Sequence, residues 1–317
     1  MEGNSIKVTR NATVGSWNLK KYGIRMLNIP LSRRLELVVG TYNSAGVFKK
    51  FNINHNNWGL CYIKSGSSKG RHFSVKEPIV ERICYEIGKE LGFNVTPYVL
   101  HVVDMQLFND TENPIVNNMN KTNLNSSFKR SLMDSGKVLV TASQTFIGPD
   151  DNFFSCRSLY DGISPDKLHS VLCRIHGDDI KRQLGQMILF DFIVHNTDRH
   201  TRNFGFLKDS SGKIQMAPLF DHGLALLAEF DEDVLREDEM EALGHSMGQP
   251  FGSLLKSLDY VGLESFKGLK LDTDIDVLKR IIDGYSELLS PIRIDLMKRI
   301  VERGVTHVRK VLSSLQG

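Results

Sequence analysis

The sequence predicts an α+β chain in two parts: an antiparallel sheet with one main helix over residues 1–147, then a mostly helical part over residues 148–317. Three observations predict it. Short β-prone runs separated by turn clusters fill the first half, at Leu35–Val39, Val47–Ile53, Leu60–Ile63, Val95–Met105 and Val138–Ile147. One amphipathic stretch interrupts them: Ile79, Ile83, Ile87 and Leu91 repeat every four residues and mark the inner face of a helix from about Glu77 to Leu91. Past the boundary segment Gly148-Pro-Asp-Asp-Asn152 the apolar spacing turns helical, over about 164–175, 179–195, 252–260, 274–289 and 291–315.

Taken in order, residues 1–32 show no firm period and are read as an irregular lead-in with at most one strand. Gly40-Thr-Tyr-Asn-Ser-Ala-Gly46 is rich in small and turn residues, and the polar HNNWG turn separates the next two strands. Lys64 ends the third strand. Pro78 suits a first helical turn, where its missing N–H costs nothing, and Gly92 suits the stop. Glu81 lies on the flank of the apolar stripe, close enough to the core to meet a lysine from the sheet. Residues 109–127 hold seven asparagines and read as a solvated loop without chemistry. Ile180, Leu184, Met187, Ile188 and Phe192 give the 179–195 helix a buried face, and that helix runs straight into a polar cluster.

Composition narrows the function classes. The net charge is +3 over 317 residues, with no dominant basic field, so nucleic acid is not the expected partner. Cys61, Cys84, Cys156 and Cys173 are scattered, with no CxxC pair, which suits a reducing compartment. No run of about 18 apolar residues exists to span a membrane. The opening MEGNSIKVTRNATVGSW has no apolar segment of the secretory kind, so a cytoplasmic location is expected.

The polar cluster lies in residues 191–223, DFIVHNTDRHTRNFGFLKDSSGKIQMAPLFDHG. His195, Asn196, Asp198, Arg199, His200, Asn203, Asp221 and His222 crowd between apolar runs, which packing alone explains poorly. Asp198 precedes Asn203 by five residues, and Asp221 follows eighteen later. Protein kinases use the same order of parts: an Asp that accepts the substrate hydroxyl proton, an Asn five positions on that binds metal, and an Asp that binds the bridging Mg²⁺. A hairpin of Phe204–Leu207, a turn at Asp209–Gly212 and Ile214–Met216 would swing Asp221 back beside Asn203, as two oxygen ligands on one hard cation require.

Asp198 is therefore the expected general base, against the plainer reading of a turn cap. Asn203 and Asp221 are the expected Mg²⁺ ligands. His200 stands where kinases often carry a phosphate-contacting lysine, and an imidazole there either donates to phosphate or orders the loop. Asp191, His195, Asn196 and Arg199 are read as scaffold. Lys64 is the expected phosphate-binding lysine and Glu81 its ion-pair partner, with Glu77 a runner-up better read as a first-turn charge favoured by the helix dipole; the plainer reading of Lys64 is a solvated strand end. Backbone N–H groups around Thr41, Ser44 and Gly46 would cradle phosphate. No G-x-G-x-x-G and no G-x-x-x-x-G-K-[ST] occurs, so a Walker-type site is not indicated.

Three strings carry a family resemblance. HNTDRHTRNFGFL fits N-x-D-x-H-x-x-N, APLFDHG fits A-P-x-[FY]-D, and EPIVERICYEIGKELGFNV fits a helix with an N-terminal glutamate. With them the chain from about Gly40 to Phe251 resembles the HipA-like kinases, bacterial relatives of the protein-kinase fold. The resemblance implies a two-lobed protein-kinase-like fold, ATP and Mg²⁺ as cofactors, and serine or threonine of a protein as acceptor. The family often uses a serine of such a loop for self-phosphorylation, which makes Ser44 a candidate site against the plainer and favoured reading of an ordinary turn serine, and an antitoxin is a partner to look for. Other readings stay open: a kinase of a lipid or small molecule on the same fold, a metal-dependent hydrolase built on His195, Asp198, His200, Asp221 and His222, or a toxin–antitoxin binding partner without catalysis.

Overall fold

The computed structural model describes residues 25–26, 50–55, 59–66, 68–69, 72–73, 76–104, 137–148, 150–230 and 250–317. In chain order its first elements are β1 (Arg25–Met26), β2 (Lys50–His55), β3 (Gly59–Ser65), β4 (Ser68–Lys69), β5 (His72–Phe73), α1 (Lys76–Glu90), β6 (Tyr98–Asp104) and β7 (Lys137–Gln144). The remainder is β8 (Asn152–Ser155), α2 (Cys156–Tyr160), α3 (Pro165–His176), α4 (Asp178–Ile193), β9 (Gly205–Lys208), β10 (Ile214–Met216), α5 (Leu254–Ser257), α6 (Ile275–Asp283) and α7 (Pro291–Gln316). Two 3-10 turns, Leu258–Tyr260 and Leu263–Phe266, lie between α5 and α6.

Five strands form one sheet in the order β1-β6-β7-β3-β2, antiparallel except where β1 runs parallel to β6. The register sets Lys64 of β3 opposite Thr141 of β7. Helix α1 packs against this sheet with Ile79, Ile83, Ile87 and Leu91 fully buried, as their four-residue period requires. Gly88 makes the crossing close: a Cβ there would lie 2.8 Å from a Val95 methyl and 3.1 Å from the Phe190 ring. The helix stops at Gly92, whose φ of 83° lies in the left-handed region.

The helical part surrounds α4, which contacts α3, α7 and the Leu263–Phe266 turn. One continuous set of buried apolar residues runs from α1 through α4 to α7. Among the described residues no helix is long and apolar enough to cross a membrane.

Several expectations are altered. The stretch after Asn152 begins as a strand, not a helix: Phe153 and Phe154 pair with Leu207 and Phe206 of β9, completing a β10-β9-β8 sheet. A four-residue run is too short for its period to show in sequence. Ser155 then caps α2 by accepting from the Ser158 N–H at 3.1 Å. The expected 252–260 helix is a single α turn followed by a 3-10 turn. The expected 274–289 helix ends at Asp283 and continues as turns. Phe192, expected in the core, is only partly buried. Leu35–Val39, the 40–46 turn and the asparagine-rich 109–127 stretch lie outside the described residues.

Candidate active site

The loop after α4 is built on one buried guanidinium. Arg199 donates from Nε to Asp191 Oδ2 at 2.8 Å and from Nη2 to Asp191 Oδ1 at 2.9 Å. Its Nη1 donates to two backbone carbonyls, of Asn203 and of Phe220, each at 2.6 Å. One nitrogen thus ties Asn203 to the residue before Asp221. Nη2 also donates to His222 Nε2 at 2.7 Å. Burial, with the Arg199 charge beside it, holds the His222 ring well below the ordinary histidine range, so it is neutral and accepts. Asn196 donates from Nδ2 to Asp191 Oδ1 at 2.9 Å.

This frame sets the three oxygen-bearing residues. Asp198 sits half-buried at the loop tip, and its carbonyl accepts from Asn203 Nδ2 at 2.9 Å. That bond uses one of the two amide N–H groups of Asn203 and fixes the amide's orientation, with Oδ1 as its acceptor atom. Burial raises the Asp198 carboxyl above the ordinary aspartate range; Asp221 adds to the rise, while His200, Lys64 and Arg199 oppose it. His200 is exposed, and its Nδ1 accepts from the Arg202 N–H at 3.2 Å. The expected hairpin forms: β9 pairs antiparallel with β10, Met216 opposite Phe206. Asp209 closes the turn by accepting from the Ser211 and Lys213 N–H groups. Asp221 follows at φ 64°, its N–H donating to the Tyr98 hydroxyl at 3.0 Å.

Lys64 joins the sheet to this loop. Its Nζ donates to Glu81 Oε1 at 2.7 Å and to Asp221 Oδ1. Thr141, opposite in register, donates to Glu81 Oε2 at 2.7 Å. Burial acts to lower the Lys64 pKa, but the Asp221 and Glu81 carboxylates outweigh it and raise it, so the ammonium is retained. Gly223 keeps the approach open, since a Cβ there would lie 3.3 Å from Lys64 Nζ and 3.5 Å from Glu81 Oε1. Glu77 is buried on the same helix, its Cβ 3.6 Å from that position. Ser44, Gly46 and Thr41 lie outside the described residues.

The structure thus brings Lys64, Glu81, Asp198, Asn203 and Asp221 into one neighbourhood. Sequence reasoning did not find Thr141 or Tyr98, because only sheet register and the fold place them there. A carboxylate and an amide oxygen are hard donors of the kind Mg²⁺ takes. Among the described residues no three His, Cys, Asp or Glu side chains gather as a metal site. His222 is bound to Arg199, and His195 lies in a cleft with Phe192 and Leu227.

The family model of the HipA-like C-terminal domain matches residues 42–241. The chain belongs to the HipA-like family. No curated protein sequence matches it. Among solved structures, this HipA-like chain is similar to the Helicobacter pylori proinflammatory kinase CtkA, at 18% identity over 84% of this chain and 95% of that one, with a TM-score of 0.57. It also aligns with the Golgi casein kinase with Mn/ADP bound, at 16% identity over 85% and 71% of the two chains and a TM-score of 0.49. The Shewanella oneidensis MR-1 HipA, from a complex with HipB and operator DNA, aligns at 14% identity over 92% and 69%, TM-score 0.40. The HipA-like chain therefore has a protein-kinase-like fold.

Proposed function

We propose that this HipA-like chain is an ATP- and Mg²⁺-dependent kinase that transfers a phosphoryl group to serine or threonine of a protein. The observation that carries the reading is the Lys64 ammonium held between Glu81 and Asp221, across 157 residues of sequence to the latter. A buried, charged lysine fixed by a carboxylate is what a phosphate-binding lysine needs to lose little freedom on meeting its anion.

The residues divide the work. Asp221 and Asn203 Oδ1 would hold Mg²⁺, which supplies neutralisation of charge on the phosphate oxygens. Lys64, steadied by Glu81, would donate to phosphate oxygens, and His200 would offer a further imidazole donor from the exposed side of the loop. Asp198 would accept the acceptor hydroxyl's proton and orient that hydroxyl, its carboxyl made more basic by burial. Ser44 and Gly46 would belong to the loop covering the phosphates, with Ser44 a candidate for self-phosphorylation. In this reading residues 1–147 form the nucleotide-phosphate lobe and 148–317 the lobe bearing the catalytic loop. Family membership supports a protein acceptor and an antitoxin partner, and the scattered cysteines support a cytoplasmic location. The hydrolase alternative is disfavoured, because Arg199 occupies His222 and no transition-metal cluster exists among the described residues.

Phosphoryl transfer from γ-labelled ATP tests the reading. Asp198→Asn is expected to lower labelling by about 10² or more. ATP with Mg²⁺ is expected to raise the melting temperature of the wild type and far less that of Asp221→Ala. A shift with Zn²⁺ but none with ATP would replace the kinase by the hydrolase.

A further inference from the structure

A cleft of about 140 Å³ opens where α4 ends, on the side of the helix facing α7. Phe192, Leu227, Leu254 and Ile300 line it with apolar surface. Its polar side chains are those of Arg303, His195 and His307, and no carboxylate lines it among the described residues. Ile300, Arg303, Gly304 and His307 fall at i, i+3, i+4 and i+7, hence on one face of α7. Gly304 sets the depth: a Cβ there would lie 2.7 Å from Ile193 Cα, so only glycine lets α7 come this close to the last turn of α4.

The chemistry is one-sided. Arg303 is exposed and enters none of the ion pairs formed among the described residues. His195 Nε2 is buried without a hydrogen-bond partner among them. Burial, and then the Arg303 charge, lower the His195 pKa to about 4, so its ring is neutral and adds no second charge. The His307 ring lies 5.0 Å from the Phe192 ring, centroid to centroid. One cation, two imidazoles and an apolar floor complement a single negative charge on a compact apolar body. An apolar cavity of about 150 Å³ accommodates benzene, which bounds the body at roughly one ring.

We propose that this cleft binds a small monocarboxylic acid, its apolar body against Phe192, Leu254 and Ile300 and its carboxylate on Arg303, with His307 as neighbouring donor. The site is separate from the Lys64–Asp221 neighbourhood, and its occupancy does not depend on the kinase reading. It does abut that machinery: His195 and Leu227 stand at φ 49° and 60°, and the Leu226 N–H donates to the Val194 carbonyl at 2.9 Å. An occupant would therefore touch the segments that carry both Asp198 and Asp221.

Calorimetric titration of the full chain with benzoate tests the proposal, with benzyl alcohol as the uncharged comparator. The expected result is saturable one-site binding of benzoate, weakened about tenfold or more in Arg303→Gln, whose exposed position leaves folding intact. Leu254→Phe, which fills the floor, is expected to weaken it as well, and benzyl alcohol to bind more weakly than benzoate. No saturable binding to the wild type, binding unchanged in both variants, or benzyl alcohol binding as tightly as benzoate would each overturn it.

Discussion

Arg199 and Asp191 form a two-point ion pair in the interior, both side chains buried, at 2.8 and 2.9 Å. The pair is the anchor from which the Asn203 and Phe220 carbonyls are held together, so the position of the proposed metal ligands depends on a charge that touches no substrate.

Removing that charge leaves the buried Asp191 carboxyl without its guanidinium partner, with only Asn196 among the described residues still donating to it. Arg199→Met is expected to lower stability by about 3–5 kcal/mol in urea unfolding. Arg199→Lys is expected to rescue little of it, because an ammonium cannot span both carboxylate oxygens and two carbonyls. A loss below about 1 kcal/mol in Arg199→Met would show that the guanidinium does not organise the loop.

Thr141 acts through Glu81. Thr141→Val keeps the shape but strips the hydroxyl that Glu81 Oε2 accepts from at 2.7 Å. The expected cost is about 1–3 kcal/mol for an unsatisfied buried acceptor. If Lys64 works on phosphate, the apparent KM for ATP should rise as well; an unchanged KM with lowered stability would confine Thr141 to packing.

His195 links stability to pH. Its folded pKa, about 4, lies below the ordinary 6.5, so the unfolded chain binds a proton that the folded chain refuses between those values. The stability due to the neutral ring is full above pH 6.5 and is lost as pH falls toward 4. His195→Asn should flatten the stability profile in that window by about one proton, since asparagine tolerates the positive φ at this position. An unaltered slope would mean that the ring is accessible and charges freely.

Gly304 has no room for a methyl group, with the Ile193 Cα, carbonyl oxygen and carbonyl carbon 2.7, 2.8 and 3.1 Å from its Cβ position. Gly304→Ala is expected to cost about 1–3 kcal/mol by overpacking, despite alanine's better helix propensity. A gain in melting temperature would show that α7 can move away from α4.

The α1 stripe was legible because helical periodicity is local, and Ile79, Ile83, Ile87 and Leu91 are all buried. The β9–β10 hairpin was legible because Asp209 and Gly212 carry turn chemistry of their own, the latter at φ 86°. Strand β8 was not, since four residues with two aromatics take their hydrogen bonds from β9, about fifty positions away. Arg199 could be read as scaffold, but its acceptors could not be named: three of them, Asn203, Phe220 and His222, meet only once the hairpin has folded back.

By itself the sequence determined which chemical groups are present, their order, and the local helix and turn that carry them, because spacing and propensity act within a few residues. The tertiary structure decided that Lys64 reaches Asp221, that Thr141 faces it across the sheet, and that Arg303 borders a cleft. Those relations depend on strand register and on how closely α1, α4 and α7 pack, which are set by burial summed over the whole core and by no single window of the chain.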